Sequence, residues 1–145
     1  LKNLQRLSLE EILKKSETRE FIILLNQRQI FIDGETADGY NLGVYSRYTE
    51  GLNQGRTFIF DGVSKTKKAG SNIFLLDEGY FFRSFKVVVS NGYFKIVADD
   101  STGKDQPLSK RYGNIIDLSE ESMQKLIEYC KGKLIEEARH LLATG

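Results

Sequence analysis

Tryptophan is absent from this chain, and cysteine, histidine, proline and methionine occur once each. A single cysteine, Cys130, excludes an intramolecular disulfide. With only His140 beside it, too few ligands remain for a Cys/His zinc site within one chain. The two lie ten residues apart in one helical pattern, about 15 Å along its axis, which excludes a Cys–His dyad on that helix. His140 stands five residues from the last residue, a poor position for histidine-based acid–base chemistry. One free thiol fits a reducing compartment. No apolar run approaches the ~20 residues that span a bilayer, and no charged-then-apolar leader opens the sequence. The first residue is leucine, so an initiator methionine, alone or with further residues, is expected to precede it.

An excess of either charge is also missing. Lysine and arginine number 21, aspartate and glutamate 20, for a net charge of +1. Residues 1–33 carry six positive and five negative charges, and residues 119–145 carry four and five. A strong non-specific nucleic-acid binder carries a basic face or stripe, and this chain shows none at the level of sequence.

What is present is an ordinary globular composition. The chain has 145 residues, 40% hydrophobic and 28% charged. That fits one domain, 1–145, able to bury a core without disulfide or metal staples. Ser8 and Glu11 match a capping box, with Leu7 and Ile12 at the positions of a hydrophobic staple. A break is expected at Lys15-Ser16-Glu17. Residues 18–32, containing the run Phe21–Leu25, then read as a helix that ends before Gly34.

Residues 34–57 change character. Six of the 13 glycines lie between positions 34 and 62, with Tyr40, Tyr45 and Tyr48 among them. No periodicity survives, and a long loop is expected, functional or ordered by a partner. Residues 57–60 suggest a short strand, and Lys65, Lys67 and Lys68 follow in a polar stretch.

Asn91-Gly92 between apolar runs is a type I′ hairpin signal. It predicts a hairpin over about 81–98, pairing Ser90 with Tyr93, Val89 with Phe94, Val87 with Ile96 and Phe85 with Ala98. The last three pairs share one apolar face, while Lys86, Ser90 and Lys95 take the other. Asp99 to Pro107 reads as a polar turn and 108–117 as a compact connector. A long C-terminal helix is expected over about 119–142, with Leu118 and Met123 as its staple. Its apolar positions are Met123, Leu126, Ile127, Cys130, Leu134, Ile135, Ala138, Leu141 and Leu142. The predicted fold class is α+β: an N-terminal helical region, an antiparallel sheet built on a hairpin, and a terminal helix.

Catalytic signatures are missing. There is no P-loop, no G-x-G-x-x-G and no G-x-S-x-G. Asp99-Asp100 reads as a solvated turn, and Glu120-Glu121 complements a helix dipole. Cys130 reads as a core thiol. The run Lys65-Thr66-Lys67-Lys68 is either a solvated loop or a contact to a phosphate backbone or acidic neighbour. The three tyrosines are either interface anchors or pins that hold the loop on its own domain. No metal, cofactor, membrane or small-molecule partner is expected. The residues themselves favour a structural or binding role over an enzyme; the enzymatic alternative is a wall-cleaving hydrolase using Glu35 or Asp38.

Four segments go further. Residues 75–87, with Asp77, Gly79, Phe82, Ser84 and Phe85, resemble the pattern L-x-D-T-G-x-F-x-x-S-F followed by a hairpin, with Glu78 where that pattern has threonine. Residues 25–34 resemble L-N-x-x-Q-L-x-x-G, residues 38–46 resemble D-G-x-x-L-G-x-Y-S, and residues 111–119 resemble Y-G-x-x-I-x-G-L-T. In this order they resemble the tail-completion or head–tail connector (neck) proteins of tailed bacteriophages, in the version carried by phages and prophages of Bacteroides-like bacteria. The resemblance implies a non-enzymatic virion protein, assembled in the bacterial cytoplasm. It would form a ring with copies of itself and contact neighbouring neck or tail proteins. Tyr40, Tyr45 and Tyr48 would serve a subunit interface, and Lys65, Lys67 and Lys68 would face DNA or an acidic partner. The alternative is a host-encoded protein-binding or regulatory module.

Overall fold

The computed structural model describes residues 8–101 and 106–144. The Ser8 hydroxyl accepts the Glu11 N–H at 3.1 Å and starts α1 (Leu9–Lys14). Leu7, the other half of the expected staple, lies outside the described residues. Lys15 leaves the helical region at ψ 139° and separates α1 from α2 (Ser16–Phe31), at the expected break. Thr18, Ile22, Leu25, Asn26, Gln29, Ile30 and Phe31 are buried on α2, so amides sit among its core residues.

The segment expected to lack regular structure contains α3 (Arg47–Leu52), capped by the Ser46 hydroxyl, which accepts the Thr49 N–H at 3.2 Å. Isolated bridges also tie Glu35 to Asn41, Val44 to Asn72 and Tyr45 to Ala69. The segment is therefore ordered by its own chain, a correction to the long-loop expectation. Next comes a hairpin in which the expected short strand has a partner: β1 (Phe58–Phe60) pairs antiparallel with β2 (Val63–Lys65). Its turn is Asp61-Gly62, with φ of 52° and 77°, a left-handed pair that Asp-Gly favours.

The second hairpin joins β3 (Lys86–Ser90) to β4 (Tyr93–Val97) through Asn91-Gly92. The pairs Ser90–Tyr93, Val89–Phe94 and Val87–Ile96 stand in the predicted register. The predicted span is too long. The ladder ends at Lys86–Val97, and residues 80–83 form a short helix, α4 (Tyr80–Arg83). Burial overrides strand pairing there, because α4 turns Phe81 and Phe82 into the core. Beyond the ladder the chains stay joined by the Ser84 hydroxyl, which accepts the Asp99 N–H at 2.8 Å.

The connector contains α5 (Leu108–Tyr112), and α6 (Glu120–Thr144) closes the chain. The Ser119 hydroxyl accepts the Ser122 N–H at 3.2 Å at the start of α6. Helices α1, α2 and α6 pack against one another, and β3 lies on α1 and α2. Phe21 stacks on Tyr129 at 4.6 Å between ring centroids. Lys133 reaches Glu17 at 3.5 Å, and Lys15 pairs with Glu137. Leu126 and Cys130 are buried as expected, but Ile127, Ile135 and Leu142 are 37%, 52% and 67% exposed, so the apolar stripe is wider than the surface that covers it. The fold is α+β.

The core is chiefly aromatic away from α6. Phe74 contacts Tyr45, Phe58 and Phe31; Phe31 contacts Phe60; Phe60 contacts Phe82; and Phe82 contacts Phe81 and Phe85. Such ring pairs each add about 0.5–1.5 kcal/mol beyond area burial. This chain of rings joins α2, both hairpin regions and the 38–46 loop into one hydrophobic cluster.

Candidate partner-binding cleft

Four polar residues of α2 each reach a different part of the chain. The Asn26 amide donates to the Ile115 carbonyl at 2.8 Å. The Gln27 amide donates to the Phe82 carbonyl at 2.7 Å. Arg28 pairs with Asp61 at 2.7 Å, at the turn between β1 and β2. Gln29 donates to the Asp117 carbonyl at 3.1 Å, while its oxygen accepts the Ser119 N–H at 2.8 Å and the Ser122 hydroxyl at 2.9 Å. Buried amides cost free energy unless paired, and these pairings lock the 82 and 115–122 segments onto α2. The 34–42 loop joins them through the Ala37 N–H, which donates to the Asn114 carbonyl at 2.8 Å.

With those segments held, an open cleft of about 890 Å³ forms between residues 44–49, residues 73–81 and α5. Tyr45, Ile73, Leu108 and Arg111 are among its lining residues. Val44 and Tyr80 line it while remaining 57% and 75% exposed. Leu75, also in the wall, holds φ at +53°, a left-handed conformation that costs a non-glycine residue about 1–2 kcal/mol. Strain of that kind persists where surrounding structure over-determines it and is common at functional sites.

The residues of the 75–87 segment divide between structure and surface. Asp77 lies 3.3 Å from Arg56 and 3.5 Å from Lys67. Gly79, at φ +87°, begins α4, and a Cβ there would stand 2.5 Å from the Arg83 guanidinium. Phe82 and Phe85 are core residues. Ser84 donates to the Phe81 carbonyl at 2.6 Å besides joining Asp99. Asp77 and Gly79 line the cleft; Phe82, Ser84 and Phe85 do not.

The tyrosines of the 38–48 segment do not act alike. Tyr45 is buried against Phe74, and its hydroxyl accepts the Phe74 N–H at 3.2 Å. Burial pushes its hydroxyl up to about 12, against the lowering effect of that backbone hydrogen bond. Tyr40 and Tyr48 are 73% and 76% exposed. One tyrosine pins the loop, and two are available to a partner.

The lysines divide likewise. Lys65 donates to the Phe31 and Ile32 carbonyls at 2.6 and 3.2 Å, satisfying the C-terminal end of α2. Burial lowers the pKa of its ammonium, with Asp33 acting in opposition. Lys67 lies 4.5 Å from the Phe58 ring centroid, and its side chain is only 9% exposed. Lys68 is exposed. A second depression, about 420 Å³, is lined by Arg47, Lys68, Arg56 and Lys67, with Glu50 as its carboxylate. Glu50 accepts the Ala69 N–H at 3.0 Å.

Among the described residues, no group of three or more His, Cys, Asp or Glu side chains could hold a metal ion, and no helix is long and apolar enough to cross a membrane. Cys130 is buried, and burial raises its thiol pKa. Asp100, expected in a solvated turn, accepts the Ser109 N–H at 3.0 Å and the Ser109 hydroxyl at the start of α5, and these bonds lower its carboxyl pKa.

The sequence reading missed the amide clamp of α2, strand β2, and Val44, Leu75, Tyr80 and Arg111 as cleft residues. Asp61-Gly62 between Phe-Ile-Phe and Val-Ser-Lys carried the signal for β2. Nothing local marks the others. Comparison with protein-family models, with curated proteins and with solved structures finds no match to this chain.

Proposed function

We propose that this chain is a non-enzymatic structural subunit of a tailed-phage virion, a head–tail connector or tail-completion protein that assembles into a ring at the neck. One observation carries the reading. The four segments that resemble the phage family do not lie apart: α2 clamps Phe82 and the 115–122 segment, the 34–42 loop bonds to Asn114, and three of the four segments line one cleft. Their polar residues are spent on holding the fold and shaping a surface. Exposed Tyr40 and Tyr48 add the large, amphipathic contact area that subunit interfaces use. A ring needs heterologous contacts, in which one surface of a subunit meets a different surface of the next, and the exposed Tyr40 and Tyr48 suit one half of such a contact. The proposed place of the protein is the virion, after assembly in the bacterial cytoplasm.

The test has two parts. Peptide mass spectrometry of purified particles from the encoding phage or lysogen should detect the chain at multiple copies per particle. Native mass spectrometry of the purified chain, alone or with its particle neighbours, should show a closed ring. Absence from particles together with a stable complex with a host protein would overturn the reading in favour of a host-encoded binding or regulatory module.

A further inference from the structure

We propose that the cleft between residues 44–49, residues 73–81 and α5 binds an extended segment of another polypeptide, one that presents an apolar side chain to its apolar lining and a carboxylate to Arg111. The virion reading bears on the source of that segment; the chemistry comes from the cleft alone.

Charge decides the first requirement. Of the charged groups that line the cleft, Asp77 and Glu78 are both answered from within the chain: Arg56 reaches them at 3.3 Å each, and Lys67 reaches Asp77 at 3.5 Å. Arg111 is different. It is exposed, its guanidinium lies 5.2 Å from the Tyr112 ring centroid, and no carboxylate of the described residues pairs with it. A guanidinium already aligned on an aromatic face offers a planar fork of donors that suits a carboxylate. One cation does not make a nucleic-acid site, which needs several phosphate contacts.

Apolar surface decides the second requirement. Ile73, Leu75, Phe81 and Leu108 line the cleft together with Arg111, as do the exposed Val44 and Tyr80. Small-molecule pockets enclose most of their ligand; this cleft is open and half polar, which suits a chain that crosses it. Backbone chemistry agrees. Asp77 and Glu78 line the cleft, and among the described residues their N–H groups donate to nothing. Unpaired main-chain donors beside side-chain pockets are the means by which extended peptides are held.

The test is fluorescence polarisation with labelled peptides Ser-Gly-X-Gly-Z-Gly-Ser and versions with one or no glycine between X and Z. X is Leu, Phe or Ser, and Z is Asp, Asn or Lys. Peptides with Leu or Phe at X and Asp at Z should bind at least about tenfold more tightly than their Asn and Lys counterparts, the effect of one charge-assisted contact. Ser at X should abolish binding. Arg111→Glu, a change at an exposed position checked by circular dichroism, should reverse the preference from Asp to Lys. Tyr80→Ala, also at an exposed side chain, should weaken binding without altering the Asp preference. No saturable binding at millimolar peptide, or an Asp preference that Arg111→Glu leaves intact, would overturn the proposal. So would self-association that Arg111→Glu abolishes in the absence of any peptide binding, since the occupant would then be a second copy of this chain. Peptide binding is read on the purified protein, so its failure is separate from failure to find the chain in particles.

Discussion

The Gln29 side-chain oxygen accepts the Ser122 hydroxyl at 2.9 Å across 93 positions of sequence, and in the same place it accepts the Ser119 N–H. One amide in the second helix thereby sets where the last helix begins. Gln29 is 2% exposed, so water cannot replace it. Gln29→Ala should destabilise the protein by about 2–4 kcal/mol, the range for leaving several buried polar groups without partners. Urea denaturation followed by circular dichroism measures this. Gln29→Glu should cost more at pH 7 than at pH 4, relative to the unaltered protein at each pH. The ionised carboxylate cannot donate to the Asp117 carbonyl, whereas the protonated acid can. Equal costs at both pH values would show that the donor half of the clamp contributes nothing.

The three lysines of the 65–68 run should separate by their roles. Lys65→Met removes two hydrogen bonds and a positive charge from the C-terminal end of α2 and should cost about 1–2 kcal/mol. Lys67→Met should also destabilise, since the ammonium sits among aromatic rings beside Asp77. Lys68→Gln should change stability by no more than about 0.5 kcal/mol. Thermal melts of the three variants check the order; a stability loss in Lys68→Gln equal to that in Lys65→Met would contradict it.

Tyr45 should ionise at about 12 in an ultraviolet titration. Its folded pKa is raised because burial disfavours the phenolate. The unfolded chain therefore releases this proton first as pH rises. The stabilisation is whole below about pH 10, the ordinary tyrosine value, and is lost as pH climbs through about 12. Tyr45→Phe should remove the late-titrating signal and flatten the alkaline fall in stability. It should also lower stability at neutral pH, since the Phe74 N–H loses its acceptor.

Asp61 serves two purposes that substitutions can divide. It occupies the left-handed first position of the β1–β2 turn, and it pairs with Arg28. Both side chains are partly exposed, so Asp61→Asn, which tolerates the same backbone, should cost only about 0.2–1 kcal/mol. Asp61→Ala should cost a further ~1 kcal/mol or more, because alanine resists a left-handed conformation. Chemical denaturation of the two variants gives the difference; identical losses would assign the whole effect to the ion pair.

Some of this architecture was legible before the chain was seen folded. Ser8 and Glu11 placed the first cap, Asn91-Gly92 fixed the register from Ser90–Tyr93 to Val87–Ile96, and the spacing from Met123 to Leu142 marked the terminal helix. Each rests on chemistry within a few residues: a hydroxyl and the N–H three positions on, a left-handed turn, a helical period. Asp61-Gly62 is an equally local signal, for the β1–β2 turn. The 34–45 segment is misleading, because its order comes in part from Ser71, Asn72 and Asn114, residues remote in sequence.

The chain's own sequence determined α1, α2 and α6, the hairpin turns and the lack of a second cysteine among these 145 residues, because these depend on neighbouring residues or on simple counts. Tertiary structure alone decided that Asn26, Gln27 and Gln29 are clamps rather than surface amides. It also sent Tyr45 inward while leaving Tyr40 and Tyr48 outside, and committed Lys65 to a helix end. Tyr80 and Arg111 came to border one cleft in the same way. Those assignments depend on which distant carbonyl, ring or carboxylate arrives beside a side chain. Only closure of the whole chain supplies that information.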